Sequence, residues 1–357
     1  MINNTDTKPL KKYDIRSMFP EEIQALIVPL GFERYRAEQI FSWLYKGTDS
    51  FEDMTNLSRT ARTILNDHFY IETPKINTSF KSKEDGTIKL LLEFPDGEFA
   101  ECVALGYKYG YSACVSSQAG CKMGCSFCAS TKAGFTRDLT AGEILVQIEM
   151  LQRELRKELP EAKIGHVVMM GIGEPLDNYN NSIKFIRLAN DPRGYNIGMR
   201  NISLSTCGLV DKINKLAEED LPITLSVSLH APNNELRSSL MPVNNKYPIE
   251  ELIYACREYI RKTGRRISFE YSLIHGVNDT PECAKELSKL LAGMMCHVNV
   301  IPVNPISEKS FKGSPKERIL LFTNLLSLGK INVTVRRTLG ADIDAACGQL
   351  RRKRKQN

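Results

Sequence analysis

The chain has 357 residues, 42% of them apolar and 25% charged, and a net charge of +6. This composition excludes a disordered or fibrous protein, and no apolar run is long enough to cross a bilayer. The start, "MINNTDTKPLKKYDIRSMF", lacks an apolar signal core, so a cytoplasmic protein is expected, in which ten cysteines read as metal ligands, catalytic thiols or core residues rather than disulfides.

Residues 1–72 read as a small helical accessory domain. "PEEIQALIVPLG" places Ile23, Leu26, Ile27 and Leu30 on one face and stops at Gly31. "RYRAEQIFSWLYKG" turns Ile40, Trp43 and Leu44 inward and stops at Gly47. A third helix, "LSRTARTILNDHF", has Ser58 as its N-cap. Such a unit buries too little surface to be an enzyme core.

At residues 73–111 the period changes to that of strands, "TIKLLLEF" and "GEFAECVALGY", joined by the turn "PDG". This is a short β linker region. From 112 to 345 strands and helices alternate. The strands are "SACVSS", "HVVMMGI", "ISLSTC", "ITLSVSL", "RISFEYSLI", "HVNVIPV" and "INVTVRR"; the helices include "AGEILVQIEMLQREL" and "IEELIYACREYIRKT". Repeated units of this kind make a parallel sheet, hence an α/β fold: a partial or full β/α barrel with its site at the C-terminal strand ends, or a doubly wound open sheet. Residues 346–357 form a last segment ending in the basic run "RRKRK", read either as a solvated tail or as a phosphate contact.

The chemistry starts at "GCKMGCSFCAS". Cys121, Cys125 and Cys128 follow a strand in a C-x3-C-x2-C pattern. Structural zinc takes four ligands, and the fourth is missing locally. A four-iron cluster held by three thiolates keeps one iron open for a small molecule; a zinc site completed by a distant His is the alternative. Further strand ends carry ligand-type groups: Gly171, Gly173 and Glu174 in "MMGIGEP", Ser205 in "SLSTCG", Ser228 and His230 in "SVSLHAP", and Asn304 in "VNP". Each alone reads equally as turn or cap chemistry. Cys347 in "GADIDAACGQL" is flanked by Ala346 and Gly348, which leave it open to a substrate. Cys114 lies on the strand feeding the cysteine loop.

C-x3-C-x2-C with Phe127 before the last Cys resembles the signature of radical S-adenosylmethionine (SAM) enzymes. Together with "GEP", "LST-x-G", "SLHAPN" and "DIDAACGQL" in this order, the chain resembles the RlmN/Cfr family of RNA adenine methyltransferases from "YRAEQIFSWLYKG" almost to its C-terminus. The resemblance implies a partial (β/α) barrel core with the small N-terminal helical domain. It implies one [4Fe–4S] cluster on Cys121, Cys125 and Cys128, and two SAM molecules per turnover. Gly173, Glu174, Ser205, Ser228, Leu229, His230 and Asn304 match SAM-contacting positions. Cys347 resembles the methyl carrier and Cys114 the cysteine that resolves the intermediate, while Glu101 matches an acid that bonds the adenine edge or takes a proton. The RlmN branch methylates C2 of an adenine in 23S rRNA and in some tRNAs; the Cfr branch methylates C8 of the same ribosomal adenine and confers antibiotic resistance. "MGIGEP", "RRTLG" and "FEDMTNLS" look nearer to the RlmN branch. A monomer is expected, with flavodoxin or ferredoxin as electron donor, and with the N-terminal helices, "KTGRR" (262–266) and "RRKRK" holding RNA phosphates. The reading from another class is a noncatalytic RNA-binding protein with structural zinc.

Overall fold

The computed structural model describes residues 12–132, 134–304 and 311–350. The three N-terminal helices form as expected: α1 (Pro20–Ile27), α2 (Arg36–Tyr45) and α3 (Arg59–His68). Pro20 starts α1, where its missing N–H costs nothing. A 3-10 turn carries the chain on to Gly31, at φ +90°. The Ser58 hydroxyl accepts the Ala61 N–H at 3.1 Å and caps α3. Ile23, Ile27, Ile40, Leu44 and Leu65 are buried; Trp43 is half-buried and donates to Asn56 at 2.7 Å.

This unit shares one continuous apolar core with the rest of the chain. Arg16 locks the seam. Its Nε donates to the Glu72 carbonyl (2.9 Å), Nη2 to the Thr48 carbonyl (3.0 Å), and Nη1 pairs with Glu149 on helix α4 (Ala141–Arg156). The Ser17 hydroxyl accepts the Gly142 N–H at 2.7 Å.

Glu72 at this seam is buried, and one carboxylate oxygen finds no partner among the described residues. Burial first, and then the Glu143 and Asp14 carboxylates, push its pKa up to about 8. A folded-state value above the unfolded one means that folding holds this proton more tightly. Stability is therefore full below the usual carboxylate range and falls as pH rises from there through about 8. Glu72→Gln is expected to remove that part of the pH slope and to stabilise the protein at pH 9 by on the order of 2 kcal/mol. Urea midpoints across pH test this; an unchanged slope would refute it.

The main body is a ten-stranded sheet. Its strands are β1 (Lys75–Lys81), β2 (Ile88–Glu93), β3 (Phe99–Tyr107), β4 (Gly110–Cys114), β5 (Ile164–Met169), β6 (Ile202–Thr206), β7 (Thr224–Ser228), β8 (Ile267–Leu273), β9 (Cys296–Pro302) and β10 (Val333–Val335). They lie side by side in sequence order. β1 to β4 pair antiparallel, and β4 to β10 pair parallel. The crossovers carry α4, α5 (Tyr179–Asn190), α6 (Val210–Leu216), α7 (Asn234–Leu240), α8 (Ile249–Thr263), α9 (Pro281–Leu290) and α10 (Lys316–Leu328).

A doubly wound sheet reverses its strand order at a switch point. This sheet never reverses, which excludes that alternative. The sheet curls, because Cys114 at the end of β4 and Arg336 just past β10 line one cavity. The fold is therefore a partial (β/α) barrel. The region 73–111, expected as a linker, is the antiparallel flank of the same sheet, bonded through β3 to β4. β1 escaped the sequence reading because six of its seven residues are exposed, so "KINTSFK" shows no buried face.

Candidate active site

Past β4, the strand pair Gln118–Gly120 and Phe135–Asp138 presents the cysteine loop. Gly120 has φ +84°, and a Cβ there would lie 1.8 Å from the Gly134 carbonyl oxygen, so only glycine closes this pair. The loop is held from two sides. Ser126 N–H donates to the Leu240 carbonyl (2.8 Å). Ala129 N–H and the Ser130 hydroxyl donate to the Gly348 and Leu350 carbonyls, both at 2.8 Å. The segment carrying Cys347 thus lies directly on the loop.

The three loop cysteines line a cavity of about 990 Å³, part of it open to solvent, at the C-terminal ends of the parallel strands. Burial raises all three thiols, Cys121 to about 12. For Cys125 the neighbouring sulfurs of Cys128 and Cys121 come next. Deprotonated together, these thiols demand a cation among them. Among the described residues no three His, Cys, Asp or Glu side chains are placed to close around one ion. A cuboidal iron–sulfur cluster takes each thiolate at a separate corner, so three thiols spread along a loop fit it better than they fit a single zinc.

Gly173, Glu174, Ser205, Ser228, His230 and Asn304 line the same cavity. Gly173 has φ +105°, and a Cβ would meet Gln118 at 2.7 Å. Glu174 is buried, which raises its carboxyl. Its two oxygens accept the Cys207 N–H (2.7 Å) and the Leu176 N–H (3.0 Å). His230 sits at φ +55°. Its Nδ1 accepts the Ser272 N–H at 2.8 Å, and burial lowers its pKa to about 3, so the ring is neutral with its proton on Nε2. The Phe127 ring meets it edge-on at 4.7 Å. Leu229 is different: its side chain is in the main core, and its N–H donates to the Glu270 carbonyl at 3.1 Å.

Cys347 lies where this cavity joins a second one of about 500 Å³, which Cys114 also lines. Asn304 Nδ2 donates to the Cys347 carbonyl at 3.3 Å. Burial pushes the Cys114 thiol up to about 12, and the Cys347 sulfur adds to that rise. Glu101 is buried on β3, and Val103 and Leu105, two and four residues further along that strand, pack with Cys114. Lys89 pairs with Glu101 at 3.5 Å and donates to the Asp344 carbonyl at 3.0 Å.

Sequence reasoning missed several site residues. Arg336 lines both cavities, lies 3.8 Å from Glu270 and donates to the Met170 sulfur at 3.3 Å. It is held above the usual arginine value, first by the Cys347 sulfur. Glu270 had a readable signal, a carboxylate inside the buried strand "SFEYS". Cys207 also faces the main cavity. "KTGRR" lies at the start of β8, the end of the strand away from the site; Lys262 pairs with Glu218, and Arg265 donates to the Ile223 carbonyl. It is therefore not part of the cavity mouth. "RRKRK" lies outside the described residues.

The family model of the radical SAM superfamily matches residues 115–288. That of the ribosomal RNA large subunit methyltransferase N-terminal domain matches 13–71. A probable dual-specificity RNA methyltransferase RlmN of Lachnoclostridium phytofermentans is 49% identical over 343 residues, covering 96% of this chain and 95% of that protein. One of Clostridium perfringens is 52% identical over 333 residues, covering 93% of this chain and 94% of that one. The chain belongs to the RlmN family. The crystal structure of a radical SAM methyltransferase from Sphaerobacter thermophilus, 42% identical, superposes with a TM-score of 0.91 over 95% of this chain and 99% of that one. RlmN proteins are radical SAM RNA methyltransferases, so this chain is an enzyme that uses a [4Fe–4S] cluster and SAM and acts on RNA. Among the described residues no helix is long and apolar enough to cross a membrane.

Proposed function

We propose that this RlmN-family enzyme methylates C2 of an adenine in 23S rRNA and in some tRNAs, as a cytoplasmic monomer supplied with electrons by a flavodoxin or ferredoxin. The observation that carries the reading is that Cys347 lines two cavities at once, one that it shares with the three-cysteine loop and one that it shares with Cys114. Adenine C2 is not nucleophilic, so polar attack on SAM fails there. When bound, the cluster supplies the electron that cleaves SAM to a carbon radical, and a further SAM supplies the methyl group.

The residues divide the remaining work. Cys121, Cys125 and Cys128 hold the cluster. Gly173 lets the chain pass close to Gln118, which accepts the Glu174 N–H and so sets Glu174 in place. Glu174, Ser205, Ser228, His230 and Asn304 orient SAM, His230 as a neutral donor. Cys347 takes the methyl group as a thioether and presents it to the base; the SAM-derived radical would take one hydrogen from that methyl, the methylene left would bond C2, and C2 would then give up its proton and one electron. Glu101, steadied by Lys89, bonds the adenine edge or receives the C2 proton. Cys114 then attacks the Cys347 sulfur. The sulfur–carbon bond breaks, the carbon takes up a proton to become the methyl group, and a disulfide remains to be reduced before the next turnover.

The test is anaerobic. The reconstituted protein is given SAM, a reductant and an unmodified 23S rRNA fragment, and the nucleosides are separated by mass spectrometry. 2-Methyladenosine is the expected product. 8-Methyladenosine would transfer the chain to Cfr chemistry, against its near-full-length similarity to RlmN proteins.

A further inference from the structure

Arg237 on α7 is among the largest side chains fully withdrawn from solvent. Its Nη2 donates to the Cys207 carbonyl (2.7 Å) and the Ser228 carbonyl (3.3 Å), and its Nη1 to Asn244 Oδ1 (2.9 Å). Its Nε–H has no acceptor, and among the described residues no carboxylate pairs with it. An unpaired buried charge is costly, because burial strips its hydration and no partner replaces it. A neutral amide donor would hold the same carbonyls without that cost, so the charge itself calls for an explanation.

The surroundings supply one. Burial lowers the Arg237 pKa to about 10, which leaves it charged at neutral pH, and the groups that oppose that fall are the sulfurs of Cys207, Cys125 and Cys256. Cys125 packs in one cluster with Cys207, Leu240 and Met241. The Leu240 carbonyl, three residues past Arg237 on the same helix, accepts the N–H of Ser126, the neighbour of Cys125. Arg237 therefore stands one layer behind the cysteine loop. Three thiolates outweigh the positive charge of a four-iron core, so the loaded site is anionic, and more so after one-electron reduction. A fixed cation one layer away stabilises the reduced form more than the oxidised form.

We propose that Arg237 is the built-in counter-charge of the iron–sulfur cluster, a positioning residue that raises the cluster's midpoint potential and so eases its uptake of one electron. The proposal rests on the assignment of Cys121, Cys125 and Cys128 as cluster ligands. It concerns the driving force of reduction and leaves the methyl-transfer steps unchanged.

The experiment is an anaerobic dithionite titration of the reconstituted full chain, followed by electron paramagnetic resonance, on wild type, Arg237→Gln, Arg237→Lys and Asn244→Ala. Arg237→Gln is expected to shift the midpoint to more negative potential. Arg237→Lys, which keeps the charge, is expected to stay close to wild type. Asn244→Ala removes a hydrogen-bond partner and keeps the charge, so it should lower the melting temperature and leave the potential in place. A wild-type midpoint in Arg237→Gln overturns the proposal. So does an equal shift in Arg237→Gln and Arg237→Lys, which would assign the effect to hydrogen bonding. If Arg237→Gln takes up no cluster, Arg237→Lys decides: a wild-type midpoint upholds the counter-charge and a negative shift overturns it. Wild-type protein that takes up no four-iron cluster would overturn the ligand assignment instead.

Discussion

Cys347→Ala is expected to reduce RNA methylation to the detection limit while changing stability by less than about 1 kcal/mol. The residue is half-buried at the joint of the two cavities, and the contact it makes with Asn304 uses its backbone carbonyl, which alanine keeps. The alanine variant therefore loses a sulfur and little else. Retained cluster absorbance and SAM cleavage, with no methylated nucleoside, would establish the carrier role. A variant that still methylates RNA would show that the methyl group never rests on this sulfur. A variant that unfolds would instead make Cys347 a packing residue.

Cys114→Ala is expected to stop the reaction one step later, with RNA covalently attached to Cys347. Cys114 packs against Val103, Leu105 and Ile172, so its loss removes one buried sulfur at a cost of about 1 kcal/mol. The bond to RNA would be a thioether, so the adduct should survive reducing agents that cleave disulfides. Denaturing electrophoresis followed by nuclease digestion and peptide mass spectrometry reads it directly, as a peptide containing residue 347 with a nucleotide attached. Free methylated product at the wild-type rate would rule out Cys114 as the resolving thiol. The two variants together order the thiols: without Cys347 no adduct forms, and without Cys114 the adduct cannot leave.

Much of the barrel was legible because its strands are buried parallel strands rich in Val, Ile and Leu, which announce themselves as short apolar runs. The helices α4 and α8 were equally clear from their apolar spacing. Two features depended on partners far away in the chain. The flank at 73–111 looks like a linker locally and becomes part of the barrel sheet only by pairing with β4. The N-terminal helices look self-contained, yet Arg16 reaches Glu149 and merges the two cores.

The candidate site followed the same division. Residues held in short motifs, such as Cys121, Cys125, Cys128 and Glu174, could be picked from the sequence. Arg336, Lys89 and Arg237 could not, because a basic residue outside any motif carries no local sign of what it will face. Leu229 shows the opposite limit. It stands inside a motif between Ser228 and His230, but its side chain faces the core, its N–H is taken by the Glu270 carbonyl, and it does not line the cavity.

The hydrogen bonds from Ala129 and Ser130 to Gly348 and Leu350 also bear on how the enzyme is assembled during translation. The segment they anchor is synthesised after all ten strands of the sheet. The cysteine loop can therefore form, with its wall of α7 behind it, while the side that Cys347 will cover is still open. The sulfur proposed to carry the methyl group arrives afterwards, so the order of synthesis places the cysteine loop before the segment that covers it.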